Sequence, residues 1–324
     1  MSFRVNSYAI KKIDEKSRTV SFDPTKHGKI TGSRMQAVLG RDRYMSEFHA
    51  ACLISRIYSE YEPSKYTEAG EAIEPIIRDH VRNNSGEFLT GRLGLSENDR
   101  ISVEDPVPKV DCGYDHFKMN PVFGGMVDGY VRVNGKRRAI LEIKTANDKA
   151  KWMGSDGKLD SVPENYMLQA SLYAELADLD EIVFAVGFPE EMDYDEPKKW
   201  VPNEDNFAIL HVVKKDISEE MEAAAEWFER YIKRGVTPEW TAEDGVIVDR
   251  MLTKNIDFVQ GDFTEIVKKY LGTKDPALES QIKEKLSGMF GNSKSVVYSQ
   301  GGFDFRLTKD FCGKITMNVE KSES

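Results

Sequence analysis

Two rhythms of apolar and polar positions run along this chain. From Glu68 to Asn83, Ile73, Ile76, Ile77 and Val81 recur at helical spacing, which predicts an amphipathic helix with one buried stripe. Glu74 lies beside that stripe and precedes Pro75, a residue tolerated in a first turn and kinking in an interior. A shorter helix is expected from Ser33, as its N-cap, to a terminating Gly40, and another after a Ser46 cap. Pro163, Glu164 and Asn165 open a further helix, in which Met167, Leu168, Leu172 and Leu176 form the stripe. Tyr166, Gln169 and Tyr173 share another face of it. Ile217 to Lys233 reads as a last strongly amphipathic helix before Gly235.

The strand rhythm appears between Asp128 and Thr145. Asn134-Gly135 is a strong hairpin signal, because both residues tolerate positive φ. The second arm, Ala139 to Lys144, is apolar on both faces except for Glu142 and Lys144, which must point the same way. Two more strands follow at Glu181–Phe188 and Phe207–Lys214, while residues 84–122 promise short strands at most. Helices, hairpin, helix, strand, strand, helix make a mixed α/β core on a central sheet, assigned to residues 1–240. Residues 241–324, with amphipathic segments at Phe263–Leu271 and Ala277–Phe290 and strands near Ser295–Tyr298 and Phe303–Leu307, are set apart as an α+β appendage.

The hairpin carries a register argument. A strict two-residue turn pairs Val133 with Lys136 and sets Asp128 opposite Leu141, so Asp128 and Glu142 would face opposite sides of the sheet. A bulge or a three-residue turn brings both carboxylates to one side. If they form one site, the region from Val133 to Lys136 must carry a bulged or three-residue turn.

Composition changes this picture little. A chain of 324 residues, 40% hydrophobic and 31% charged, is long enough for a sizeable core. It has no apolar run of the roughly 18 residues a membrane span needs. The start lacks the apolar core of a signal peptide, so a cytoplasmic protein is expected. Cys52, Cys112 and Cys312 are too scattered for a CxxC site or a disulfide framework. They are one thiolate short of an iron–sulfur cluster. A net charge of −10 does not advertise nucleic-acid binding, but basic clusters at Lys26–Lys29, Lys136–Arg138 and Lys149/Lys151 leave room for a local groove. Ala146 to Val162, charged and Gly-containing with Trp152 as its one large apolar side chain, reads as a mobile loop.

Taken singly, each chemical candidate has an ordinary explanation. Glu142 and Lys144 alone read as a strand-end salt bridge, and Ser33 as a cap. Together, Glu74-Pro75 on a helix, Asp128 on a strand, Glu142-Ile143-Lys144 on the next and Tyr166 with Gln169 on a helix resemble the PD-(D/E)XK nuclease core. The opening ITGSRMQAVLG, GEAIEP and VPENYMLQASLY resemble its YqaJ-like viral recombinase and lambda-exonuclease branch. The resemblance covers roughly residues 28–240. It implies a restriction-endonuclease-like fold and Mg²⁺ or Mn²⁺, hard cations suited to oxygen donors. Asp128, Glu142, the Ile143 carbonyl and Glu74 would be the ligands, with Lys144 and Gln169 completing the catalytic set. Ser33 and Arg34, with Tyr166 and Tyr173, would contact DNA and its terminal phosphate. The implied activity is 5′→3′ degradation of linear double-stranded DNA in a phage-type protein of a bacterial host. A single-strand annealing partner and a homo-oligomer, a trimer by analogy, go with it. An endonuclease of the same fold and a catalytically inert DNA-binding relative are the alternatives.

Overall fold

The computed structural model describes residues 2–61, 64–155, 157–256, 259, 262–291, 293–310 and 313–322; Cys312 lies outside them. The chain folds into two compact units. One comprises Phe22–Pro238 with the first few residues, and the other joins Glu239–Ser324 to Val5–Ser21.

The first unit is built on a five-stranded mixed sheet. In chain order its elements are α1 (Gly32–Val38), α2 (Glu47–Ile54), α3 (Lys65–Asn83), β1 (Ile101–Glu104), β2 (Gly129–Val133) and β3 (Lys136–Thr145). They continue with α4 (Glu164–Leu176), β4 (Glu181–Gly187), β5 (Phe207–Val213) and α5 (Ser218–Trp227). The spatial order is β5-β4-β3-β2-β1, and only β3 and β4 run parallel, joined through α4. Burial on both faces explains why β3 is apolar from Ala139 to Ile143 apart from Glu142. On one face, Ile73, Ile77 and Val81 of α3 pack against Val131, Ala139, Leu141, Ile143, Val183 and Ala185. Helix α4 covers the other face of β3 and β4. The expected α/β core with helices flanking a central mixed sheet is therefore the fold found.

Several local expectations need adjustment. α3 starts at Lys65 on a Ser64 cap, so Pro75 sits inside the helix and not in its first turn. The α1 cap position belongs to Thr31; Ser33 lies within the first turn, its hydroxyl 3.0 Å from that of Thr31. Gly40, at φ 67°, ends that helix as expected, and Ser46 caps α2 by accepting from the His49 amide at 2.9 Å. The 146–162 loop is not a bare polar excursion. Trp152 is 1% exposed, stacked on Tyr166 at 5.5 Å and edge-on to Phe184 at 6.0 Å, which pins the loop to α4 and β4.

The hairpin resolves the register question. Asn134 and Gly135 adopt φ 51° and 82°, and Val133 pairs with Lys136, so the loop has two residues, as a type I′ turn requires. The register then shifts: Arg132 pairs with Arg137, but Val131 pairs with Ala139, leaving Arg138 as the extra residue of a β-bulge. The bulge, not a longer loop, makes the correction.

The second unit has a four-stranded sheet of β6 (Thr253–Ile256), β7 (Ser295–Gln300), β8 (Phe303–Lys309) and β9 (Ile315–Lys321). Helices Phe263–Thr273 (α6) and Pro276–Ser287 (α7) cover it through Phe263, Val267, Ile282, Leu286, Val296, Phe305 and Leu307. The amide of Trp240 donates to the Arg18 carbonyl at 2.9 Å, one of the ties that draw Val5–Ser21 into this unit.

Candidate active site

Because Gly129 pairs with Leu141, the next position along the ladder sets Asp128 opposite Glu142, and both carboxylates lie on one face. The Asp128 carboxylate accepts the Ile143 amide at 2.7 Å, which locks it across the strand pair. Glu142 is 1% exposed. Its Oε1 accepts from the Lys144 ammonium at 2.6 Å and from the Gln169 side-chain amide at 2.6 Å. Its Oε2 is buried and, among the described residues, has no hydrogen-bond partner. A buried carboxylate oxygen left without a donor is costly, so its survival at this point is informative.

The electrostatics point the same way. Burial is the largest influence on Asp128, and the neighbouring Glu142 and Glu74 carboxylates add to it, pushing its pKa up to about 8 against the opposing pull of Lys144. Burial alone would lower the Lys144 ammonium, but Glu142 and Asp128 outweigh it and hold Lys144 above its ordinary value. The pocket thus crowds Asp128 and Glu142 around one lysine, and Asp128 responds by holding its proton.

Glu74 approaches from α3. Its carboxylate is ion-paired with Arg78, four residues on, whose Nε donates to the Asp128 carbonyl at 2.9 Å. Arg78 therefore ties the α3 carboxylate to the strand that carries Asp128. The i, i+4 spacing of Glu74 and Arg78 was its only signal in the sequence.

Of the three residues sharing the α4 face, Gln169 reaches Glu142. Tyr166 lies beneath the Lys144 ammonium, 5.0 Å from ring centroid to Nζ. Tyr173 is only 4% exposed, and its hydroxyl accepts the Gly32 amide at 3.2 Å. Burial, helped by Glu142, pushes its phenol up. It braces α1 against α4 from inside the protein. Gly32 is the residue that allows this contact: a Cβ there would lie 2.6 Å from Gln169 Cγ. Ser33 is exposed on the same short helix. Arg34 is half-buried, and burial with Arg56 nearby lowers its guanidinium against the opposing effect of Tyr173. No carboxylate pairs with Arg34 among the described residues. A cleft of ≈ 570 Å³ runs past Ser33, Tyr166 and Gln169.

The donors suit a hard cation. Among the described residues no three His, Cys, Asp or Glu side chains form a closed cage. What converges is two carboxylates, one oxygen of which lacks a donor, together with the Ile143 main chain between Glu142 and Lys144. An oxygen-only donor set of this kind suits a hard divalent cation.

Residues 21–180 match the YqaJ-like viral recombinase domain family. Uncharacterized protein MG373 of Mycoplasma genitalium is 26% identical over 254 residues, spanning 67% of this chain and 85% of that one. Its homolog in Mycoplasma pneumoniae is 27% identical over 253 residues, with the same coverage. Among solved structures, an alkaline exonuclease from Laribacter hongkongensis superposes with a TM-score of 0.41 at 16% identity, covering 64% of this chain and 88% of that one. A phage-related exonuclease from Haemophilus somnus 129PT does so with a TM-score of 0.41 at 16% identity, covering 69% and 97%. No helix among the described residues is long and apolar enough to cross a membrane. The family match covers α1 to α4 and with them Glu74, Asp128, Glu142, Lys144 and Gln169: residues 21–180 of this chain are similar to the YqaJ-like viral recombinase domain.

Proposed function

We propose that the protein is a divalent-metal-dependent exonuclease that degrades linear double-stranded DNA 5′→3′, leaving 3′ single-stranded tails for recombination by strand annealing. The observation that carries the reading is the Arg138 bulge. It puts Asp128 and Glu142 on one face, with Lys144 and Gln169 on one oxygen of Glu142 and the other oxygen free of donors among the described residues. Asp128, Glu142 and the Ile143 carbonyl would hold Mg²⁺ or Mn²⁺, with Glu74 reaching it directly or through water. Such an ion, when bound, makes water nucleophilic near neutral pH and offsets phosphate charge.

The side chains supply the rest. Lys144, buried and held cationic, lies where it stabilises negative charge building on the scissile phosphate. Gln169 orients Glu142 and presents an amide to the attacking water or the phosphate. Tyr166 lies under the Lys144 ammonium, lines the cleft and would contact the strand. Ser33 and Arg34, an exposed hydroxyl beside a half-buried cation, would receive a terminal 5′-phosphate, and Tyr173 holds their helix in place. A homo-oligomer, with a trimer as the family analogy, a single-strand annealing partner and a cytoplasmic, phage-type setting complete the proposal.

The test is incubation in Mg²⁺ of linear duplex, with and without a 5′-phosphate, beside closed circular DNA, using wild type and Lys144→Ala. Loss of linear DNA alone, faster with the 5′-phosphate and abolished in the variant, supports the reading. Cut circles indicate an endonuclease, and absence of any metal-dependent cleavage indicates an inert binding relative.

A further inference from the structure

The cleft beside the catalytic residues ends at a side chain the proposed chemistry does not use. Tyr44 lines the cleft together with Ser33, Gln36, Arg43, Tyr166 and Gln169, yet it is 89% exposed. Exposure alone marks nothing, since Tyr8 and Tyr114 are exposed as well; Tyr44 is set apart by lining a cleft from a fixed backbone. The segment between α1 and α2 is tied down at several points. The Arg41 amide donates to the Gln36 carbonyl at 2.8 Å, and the Arg41 guanidinium reaches Glu220 of α5 at 3.2 Å. The amides of Tyr44 and Met45 both donate to Asp42 Oδ1, at 2.7 and 3.0 Å, and Ser46 then caps α2. The ring is held out by a braced turn. The Arg43 guanidinium lies 5.8 Å from its centroid, within cation–π range.

We infer that Tyr44 is a stacking platform for an unpaired nucleobase of the DNA strand lying in this cleft, with Arg43 clamping the same nucleotide. This rests on the nuclease reading above and adds a base-contacting site to it. The chemistry favours a nucleic-acid strand over a protein segment. The cleft mixes polar and apolar surface, carries the cations Arg41, Arg43 and Lys151 against the carboxylates Asp42 and Glu164, and reaches Gln169. An aromatic face beside cations that track a phosphodiester backbone is the combination that binds single strands without reading sequence. A base stacked on Tyr44 would have left its duplex partner, so the platform would help open the end from which a strand enters the site.

The experiment is a thermodynamic cycle between ring and base. Affinity is measured by fluorescence anisotropy for 5′-phosphorylated linear duplexes in Ca²⁺, used in place of Mg²⁺ so that binding is read without hydrolysis. An abasic nucleotide is placed in turn at each of the first four positions of either strand. Wild type, Tyr44→Ala and Tyr44→Phe are compared. Tyr44→Ala is expected to weaken binding of intact DNA about 5- to 100-fold. At one abasic position that difference should collapse to within about twofold, and Tyr44→Phe should behave as wild type throughout. Equal losses on intact and abasic DNA at every position, or no effect of Tyr44→Ala, overturn the inference. Cleavage in Mg²⁺, run in parallel, separates the two readings. Coupling without cleavage keeps Tyr44 and removes the nuclease, and cleavage without coupling removes Tyr44 alone.

Discussion

Among the described residues, Lys144 is the only ammonium on a carboxylate that is 1% exposed, and its own side chain is 16% exposed. Replacing it with Met keeps the length of the side chain and removes the charge. At 2.6 Å the direct attraction is about 6 kcal/mol with an effective dielectric of about 20, and the cost of desolvating both groups subtracts from that. Removing one member of a buried pair strands the other, and such truncations cost roughly 3–5 kcal/mol. Gln169 still donates to Glu142, and a proton can partly replace the lost cation, so the low end applies. Lys144→Met in EDTA should lose about 3 kcal/mol, a fall of roughly 6–12 °C in the melting of a unit this size. Adding Glu142→Gln should recover most of the loss, because the stranded charge is then gone. The assay is urea unfolding followed by hydrogen exchange of peptides covering Lys136–Thr145, across the full cycle of single and double variants. Lys144→Met as stable as wild type, or a double variant no better than the single, would refute the claim that Glu142 depends on Lys144.

Two further outcomes follow from the site. Deleting Arg138 takes out the extra residue itself, so a strict two-residue hairpin then pairs Val131 with Ala139 and keeps Asp128 opposite Glu142; cleavage should be retained, as it should in Arg138→Ala, and its loss in the deletion would show that register is not what aligns the two carboxylates. Asp128 holds its proton to about pH 8 in the folded protein against an ordinary value of 3.8, so the folded state binds more protons between these limits. Its contribution to stability is full below pH 4 and lost as pH rises through 8, so metal-free wild type should lose melting temperature over that window more steeply than Asp128→Asn.

How much of this was legible in the sequence depends on the range of the interaction. The hairpin, the shared direction of Glu142 and Lys144, and the Gln169 face of α4 follow from local periodicity. The demand that Asp128 and Glu142 share a face was enough to require an irregularity near the turn, although not to locate it at Arg138. Contacts made across the fold left no comparable trace. Trp152 sits in a charged loop whose composition reads as solvated, and only the aromatic partners Tyr166, Phe184 and Phe188 reveal that it is buried. Tyr173 repeats along the same helical face as Gln169, but α1 covers it, and no local pattern says which helix packs there. Nothing local to Arg78 shows that its Nε reaches the Asp128 carbonyl, fifty residues along the chain. Strand β1, Ile101–Glu104, is too short to announce itself and owes its place to pairing with β2. The clustering of Val5–Ser21 with Glu239–Ser324 spans more than two hundred residues of chain, beyond any periodic signal.

The most direct test of the central claim is the rate at which purified Glu142→Gln, matched to wild type for folding, shortens a 5′-phosphorylated linear duplex in Mg²⁺. The substitution keeps the side chain's shape and removes the charge that Asp128, Lys144 and Gln169 are arranged around. A fall of at least a thousandfold with the duplex still bound is the predicted result. Degradation within a few-fold of wild type would show that the chemistry is done somewhere else.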